Sequence, residues 1–182
     1  GTVVDADDII KELKSLALKE IETRYKNLRE KEKSQRAMKI AMAALRYYFL
    51  KVERGKDILF KPEESISFDG NTGPYLLYSY ARAKSILTRA KKKKFKVRYI
   101  DDKEKALVMH LSSFPNVAQQ AYETLSPNLV ANYAFSLAQT FNEFYHSEKV
   151  LGSEKEAFRL ALVEAFSLVL KNSLELLGIE VL

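Results

Sequence analysis

Apolar residues recur along most of this chain at the three-and-four spacing of one helix face. Ile9, Leu13, Leu16, Ala17 and Ile21 form a first stripe among Lys and Glu, with Asp5 or Asp7 placed to cap a helix from about Asp8. The stripe fades by Leu28, and the charged stretch Arg29 to Arg36 reads as a connection or a solvated helix end. Ala37 to Val52 is apolar on nearly every face, the pattern of a helix buried on most sides, and Gly55 ends it. Its one interior charge, Arg46, fits either a paired or snorkelling arginine or a phosphate contact. Ile66 and Phe68 alternate with serines, which predicts a short strand before the Asp69-Gly70 turn.

The second part is more regular. A helix is expected from Pro74 to about Lys93, with Pro74 in its first turn. Asp101-Asp102 caps the next, Lys103 to Phe114, and Pro115 stops it and opens another to Leu125. Ser126-Pro127 repeats that punctuation before a helix from Asn128 to His146, whose core face is Val130, Ala134, Leu137, Phe141 and Phe144. A last helix after Gly152-Ser153 runs to Leu177, with Phe158, Leu162, Ala165, Val169 and Leu170 inward and Gly178 as its C′ residue. The predicted fold class is all-α, a helical bundle, in two parts that pack separately or as one unit: residues 1–98 and 99–182.

Composition adds two constraints. With 47% apolar residues in 182, a sizeable core is available, and the absence of cysteine removes disulfides and thiolate metal sites and suits a reducing, cytoplasmic compartment. No apolar run reaches the length of a membrane span, so no membrane partner is expected. Charge changes the picture more. Residues 1–98 hold 24 Lys and Arg against 13 Asp and Glu, while residues 99–182 hold 6 against 11. The first half, at +11, points to an anionic partner; the second, at −5, would have to bind nucleic acid by shape, stacking and local hydrogen bonds. Nine Lys or Arg and no acid lie from Arg82 to Arg98, including the run Lys91, Lys92, Lys93, Lys94, which fits a solvated linker, an RNA-backbone contact, or both.

Candidate chemistry is sparse. His110 and His146 fit core or surface positions better than catalytic ones, and neither metal-ligand spacing nor a phosphate-cradling glycine loop is present. The better candidate is the helix carrying Phe141, Asn142, Phe144 and Tyr145. Rings that stack on unpaired bases and an amide that bonds their edges are the chemistry of single-stranded RNA recognition. Phe141 fits the core; Asn142 and Tyr145 fit either role.

The literal residues go further. Gly70-x-Thr72-Gly73-Pro74-Tyr75, followed by Tyr78 and Ala81-Arg82, resembles the segment of class I arginyl-tRNA synthetases that leads from the catalytic fold into the anticodon-binding domain. Gly73 is read here as permitting unusual backbone angles. Glu104-x-x-Leu107 with Phe114-Pro115, then Leu137-Ala138-Gln139-x-Phe141-Asn142-x-Phe144-Tyr145, then Arg159-Leu160-x-Leu162 and the stretch Val169 to Ile179, are similar to the DALR anticodon-binding domain of that family. The resemblance implies tRNA(Arg) and an upstream catalytic domain as partners, with Asn142, Tyr145, Arg82 and Lys91 to Lys94 as tRNA contacts. Gly1 to Asp5 resembles the residues just after the family's Lys-Met-Ser-Lys-type loop, and the loop itself, the His-Ile-Gly-His-type signature and the nucleotide-binding sheet do not occur. ATP with magnesium is therefore expected only in a full-length enzyme; the stretch read here should bind no cofactor, be inactive alone and be monomeric. A helical protein-interaction module without RNA binding is the competing expectation.

Overall fold

The structure is a computed structural model, which describes residues 5–24, 28–90 and 99–182. The described residues form eight helices: α1 (Ala6–Arg24), α2 (Glu30–Leu50), α3 (Pro62–Ser65), α4 (Gly73–Thr88), α5 (Asp102–Ser112), α6 (Phe114–Glu123), α7 (Pro127–Ser147) and α8 (Glu156–Leu176). The fold is all-α, as its periodicity requires.

Packing follows the stripes. α1 lies along α2, burying Leu13, Ala17 and Ile21 against Ala37, Ile40 and Ala44. α4 packs on α2, α7 and α8, and α7 packs on α5, α6 and α8. One hydrophobic cluster runs through all of these, from Leu13 to Ile179. At its centre Phe141 stacks face to face on Phe166 of α8, with centroids 3.7 Å apart and planes 5° apart. Tyr47 of α2 is also fully buried. Its hydroxyl bonds Asn71 Oδ1 at 2.5 Å and the Ala131 carbonyl at 3.1 Å, tying α2 to the loop before α4 and to α7, and burial pushes its pKa well up.

Three expectations change and one alternative is decided. The polar stretch Arg29 to Arg36 is not a connection but a solvated helix end, the first turns of α2. Glu32 accepts the Arg29 backbone N–H and Lys33 pairs with Glu30, so the start needs no apolar stripe. The strand at Ile66 and Phe68 does not form. Pro62 instead opens α3, with Glu63 and Glu64 in its first turn and the Ser65 hydroxyl closing back on the Pro62 carbonyl at 2.7 Å. α4 stops at Thr88 rather than near Lys93. On α8, Val163 and Phe166 join the inward face fully buried, while Phe158, Ala165 and Val169 are half-buried, Phe158 and Val169 packed against the core. Arg46, left open by the sequence, is exposed and donates to the carbonyl of Gly178, whose φ of 67° closes α8 as expected of a C′ glycine.

Candidate nucleic-acid interface

The launch of α4 fixes everything that follows. Thr72 is its N-cap: Oγ1 accepts the Tyr75 N–H at 3.2 Å and donates to the Ser67 carbonyl at 2.6 Å. Gly70 takes φ of 82°, the turn conformation its residue type suits. Gly73 does not need such a conformation; it lies in the first helical turn. It is small because a Cβ there would stand 2.5 Å from the carbonyl carbon and 3.0 Å from the nitrogen of the Ala43–Ala44 peptide of α2. Backbone meets backbone at that point, and the expectation of unusual angles gives way to one of close approach.

From this anchor α4 carries Tyr75, Tyr78, Ser79 and Arg82 past α7, and Arg89 follows at its C-cap. Asn142 of α7 meets three of them. Its Nδ2 donates to the Tyr75 hydroxyl at 2.8 Å and to Ser79 Oγ at 3.2 Å, and its Oδ1 accepts from Arg82 Nη1 at 2.6 Å. Arginine only donates, so the oxygen must face it. Both amide N–H groups of Asn142 are thus consumed inside the protein. Arg82 is held further by two rings, its guanidinium carbon 4.9 Å from the Tyr78 centroid and 5.3 Å from that of Tyr145, with Nη2 reaching the Tyr78 hydroxyl at 3.3 Å. Tyr145 and Tyr78 are each 37% exposed, and the inner face of Tyr145 stacks on Phe141 at 6.3 Å. Of the residues singled out in the sequence, Arg82, Tyr78, Tyr75, Asn142, Tyr145 and Phe141 therefore form one connected group. Lys91 to Lys94 lie outside the described residues.

This group borders two concave surfaces. On one side a groove of about 660 Å³ runs between α4 and the α7–α8 connection, with Tyr78, Arg82, Arg89 and Tyr145 facing Lys149 and Leu151. On the other a shelf of about 560 Å³ is lined by Tyr75, Gln139, Asn142 and His146 and edged by the Lys103–Glu143 pair at 2.7 Å. The groove offers cations beside rings; the shelf offers amides and an exposed imidazole. Arg89 was legible only as one charge among nine, and Lys149 and Leu151 carried no sequence signal, since their connection reads as an ordinary surface turn.

Beneath lies a buried ionic cluster. Glu104, fully buried, accepts from Arg159 Nε at 2.7 Å and Lys155 Nζ at 2.8 Å, and from the Asp101 backbone N–H at 2.8 Å. Burial pushes its pKa up, and these bonds outweigh that, holding it below the usual carboxylate range. Asp101, bonded to Lys155 at 2.8 Å and Arg159 at 3.0 Å, is also held low, chiefly by the Lys155 bond. The pairing joins Glu104 and Arg159, which open two of the motifs singled out in the sequence. His110 serves the packing of α5 on α7, Nδ1 lying 3.0 Å from Thr140 Oγ1 and Nε2 3.1 Å from Ser136 Oγ; burial lowers its pKa. Among the described residues no group of three or more His, Asp or Glu is placed to hold a metal ion, and no helix is long and apolar enough to cross a membrane.

Helices alone, a guanidinium set between two exposed rings, and an adjoining amide shelf define a helical module with the chemistry of nucleic-acid binding. Residues 76–182 match the DALR anticodon binding domain, and the chain belongs to that family. Over its whole length it is 40% identical to an arginine–tRNA ligase of Flavobacterium psychrophilum and 41% identical to one of Clostridium botulinum. It spans 31% and 33% of those proteins, about a third of their length. Among solved structures, the arginyl-tRNA synthetase of Thermus thermophilus superposes with a TM-score of 0.93 at 30% identity, over 99% of this chain and 32% of that one. The Plasmodium falciparum arginyl-tRNA synthetase gives 0.86 at 28% identity, over 99% and 33%. The region matched is the C-terminal part of these enzymes.

Proposed function

We propose that this chain is the tRNA-binding, C-terminal portion of an arginine–tRNA ligase, and that it holds the anticodon arm of tRNA(Arg) with the surface built around Arg82. The observation that carries this reading is the placement of Arg82. Its guanidinium is aimed by Asn142 and set between Tyr78 and Tyr145 at the mouth of a groove that also presents Arg89 and Lys149. A guanidinium fixed before the ligand arrives loses little side-chain freedom on binding a phosphate, and the partly exposed ring of Tyr145 beside it suits the stacking of a splayed base. Lys91 to Lys94, which follow α4 in the sequence, would add cations for the RNA backbone. Asn142 acts on the RNA through Arg82 and Tyr75, because its own N–H groups are occupied. Arginine activation with ATP and magnesium would fall to the two thirds of such an enzyme that this chain does not span.

The test is binding of a tRNA(Arg) anticodon stem-loop, followed by fluorescence anisotropy at one salt concentration. Arg82→Ala and Tyr145→Ala should each weaken it by about 1–3 kcal/mol while leaving the melting temperature nearly unchanged. The Tyr145→Ala loss should shrink against a stem-loop of altered anticodon. Equal losses on both RNAs would assign these residues to the backbone, and no loss on either would place the recognition surface elsewhere.

A further inference from the structure

The α7–α8 connection is one wall of the groove, and besides the buried Val150 and the Gly152–Glu156 bond it is held from beneath by Arg159. Arg159, 7% exposed, stands in the first turn of α8. One edge of its guanidinium grips the buried interior, Nε donating to Glu104 at 2.7 Å. The remaining donors reach the wall and its neighbour: Nη1 bonds the Lys149 carbonyl at 2.9 Å, and Nη2 bonds Asp101 at 3.0 Å and the Glu148 carboxylate.

Glu148 is out of character where it stands. It lines a groove whose other charged residues are Arg82, Arg89 and Lys149, and a carboxylate there repels a phosphate. Judged by charge alone, its removal should help an anionic ligand. Its geometry argues the reverse. It lies immediately before Lys149, faces inward onto Arg159 and is only half-buried, so its charge is spent on an internal pair while its backbone carries the groove wall.

We propose that Glu148 is a positioning residue of the RNA groove: paired with Arg159, it holds the α7–α8 connection against α8 and so keeps Lys149 facing Arg82, which makes an anion in the wall favour the binding of an anion. This rests on the RNA reading above. Its distinguishing feature is a sign. A carboxylate acting only through its charge would bind RNA more tightly when neutralised; a carboxylate acting as a tether would bind it more weakly.

The experiment compares the unaltered chain with Glu148→Ala and Glu148→Gln in two measurements. In the first, an anticodon stem-loop hairpin is titrated by anisotropy. Glu148→Ala should weaken binding about tenfold, the scale of one lost charge-assisted bond, and Glu148→Gln, which keeps an acceptor for Arg159, should lose less. Binding that is equal or tighter in both variants overturns the proposal. In the second, backbone amide exchange is followed without RNA. Exchange in residues 149–152 should quicken in Glu148→Ala while Leu137 and Ala138 inside α7 keep their protection. Unchanged exchange in 149–152 overturns the proposal whatever the RNA does. An unaltered chain that fails to bind the hairpin overturns the RNA reading itself, and the exchange measurement still decides whether Glu148 holds the wall.

Discussion

Replacing Gly73 with alanine tests how tightly α4 is seated on α2. By helix propensity alone the change should stabilise, since glycine within a helix costs about 0.5–1 kcal/mol relative to alanine. The structure predicts the opposite sign. The new Cβ would lie 2.5 Å from the Ala43 carbonyl carbon, and closer still to its oxygen, where van der Waals contact needs roughly 3.5 Å. The obstruction is backbone, so no rotamer relieves it, and the start of α4 must withdraw by about 1 Å. Overpacking of that kind costs about 1–3 kcal/mol. Withdrawal also disturbs the Thr72 cap, worth about 1 kcal/mol. Set against the propensity gain, the net loss is about 1–3 kcal/mol. At roughly 2–4 °C per kcal/mol for a chain of this size, the melting temperature should fall by about 2–12 °C. Differential scanning calorimetry or urea denaturation reads this directly. A companion change separates the cause: Ala43→Gly should bring no rescue, because the clash is with the main chain of residue 43 and not its methyl group. An unchanged or raised stability for Gly73→Ala would refute the close-approach argument, and rescue by Ala43→Gly would relocate the clash to the side chain.

Phe141→Ala should lower stability by about 3–5 kcal/mol in urea denaturation, since the ring is fully buried and stacked on Phe166. A loss under 1 kcal/mol would mean that the core closes over the gap. His110 has a depressed pKa, so the unfolded chain takes up its proton first as pH falls below about 6.5, and stability should decline from pH 7 towards pH 5. His110→Gln should flatten that decline; parallel urea midpoints for the two proteins across the window would acquit His110. Replacing Lys91 to Lys94 with alanine should reduce the slope of log K against log salt for the RNA hairpin by roughly 0.7 per lost phosphate contact, and an unchanged slope would make the run a spectator.

Most of the fold was legible because most helices announce themselves twice, by stripe and by cap. Thr72-Gly73-Pro74, Asp101 and Ser126-Pro127 all stand where α4, α5 and α7 begin. Where only one signal was present the reading stayed open or failed. The start of α2 has no stripe, so a solvated helix end stood beside a connection, and α3 carries its Pro62 signal just ahead of an alternation that resembles a strand. The site was legible in its membership and not in its wiring. Spacing can place Tyr75, Tyr78 and Arg82 on one face of α4, but nothing local reveals that the amide 60 residues beyond Arg82 will be spent on them. Likewise the Glu104–Arg159 pair spans 55 residues and joins two elements whose stripes say only that each has a buried side.

That wiring also resolves the objection raised by charge. Residues 99–182 are formally acidic, and a phosphate backbone should avoid them. Several of their carboxylates, however, are engaged within the protein. Asp101, Glu104 and Glu148 share Lys155 and Arg159, Glu143 pairs with Lys103, and Glu175 with Lys171. The acids left facing solvent elsewhere are screened over about 8 Å at physiological salt. An approaching RNA therefore meets the charges that line the groove rather than the sum for the half-chain. Those are Arg82, Arg89 and Lys149, with Glu148 turned inward onto Arg159. Formal charge counts every residue once; the field in a groove counts those that face it and are not already paired. On that count the groove presents three cations, Arg82 and Arg89 from the basic half of the chain and Lys149 from the acidic half.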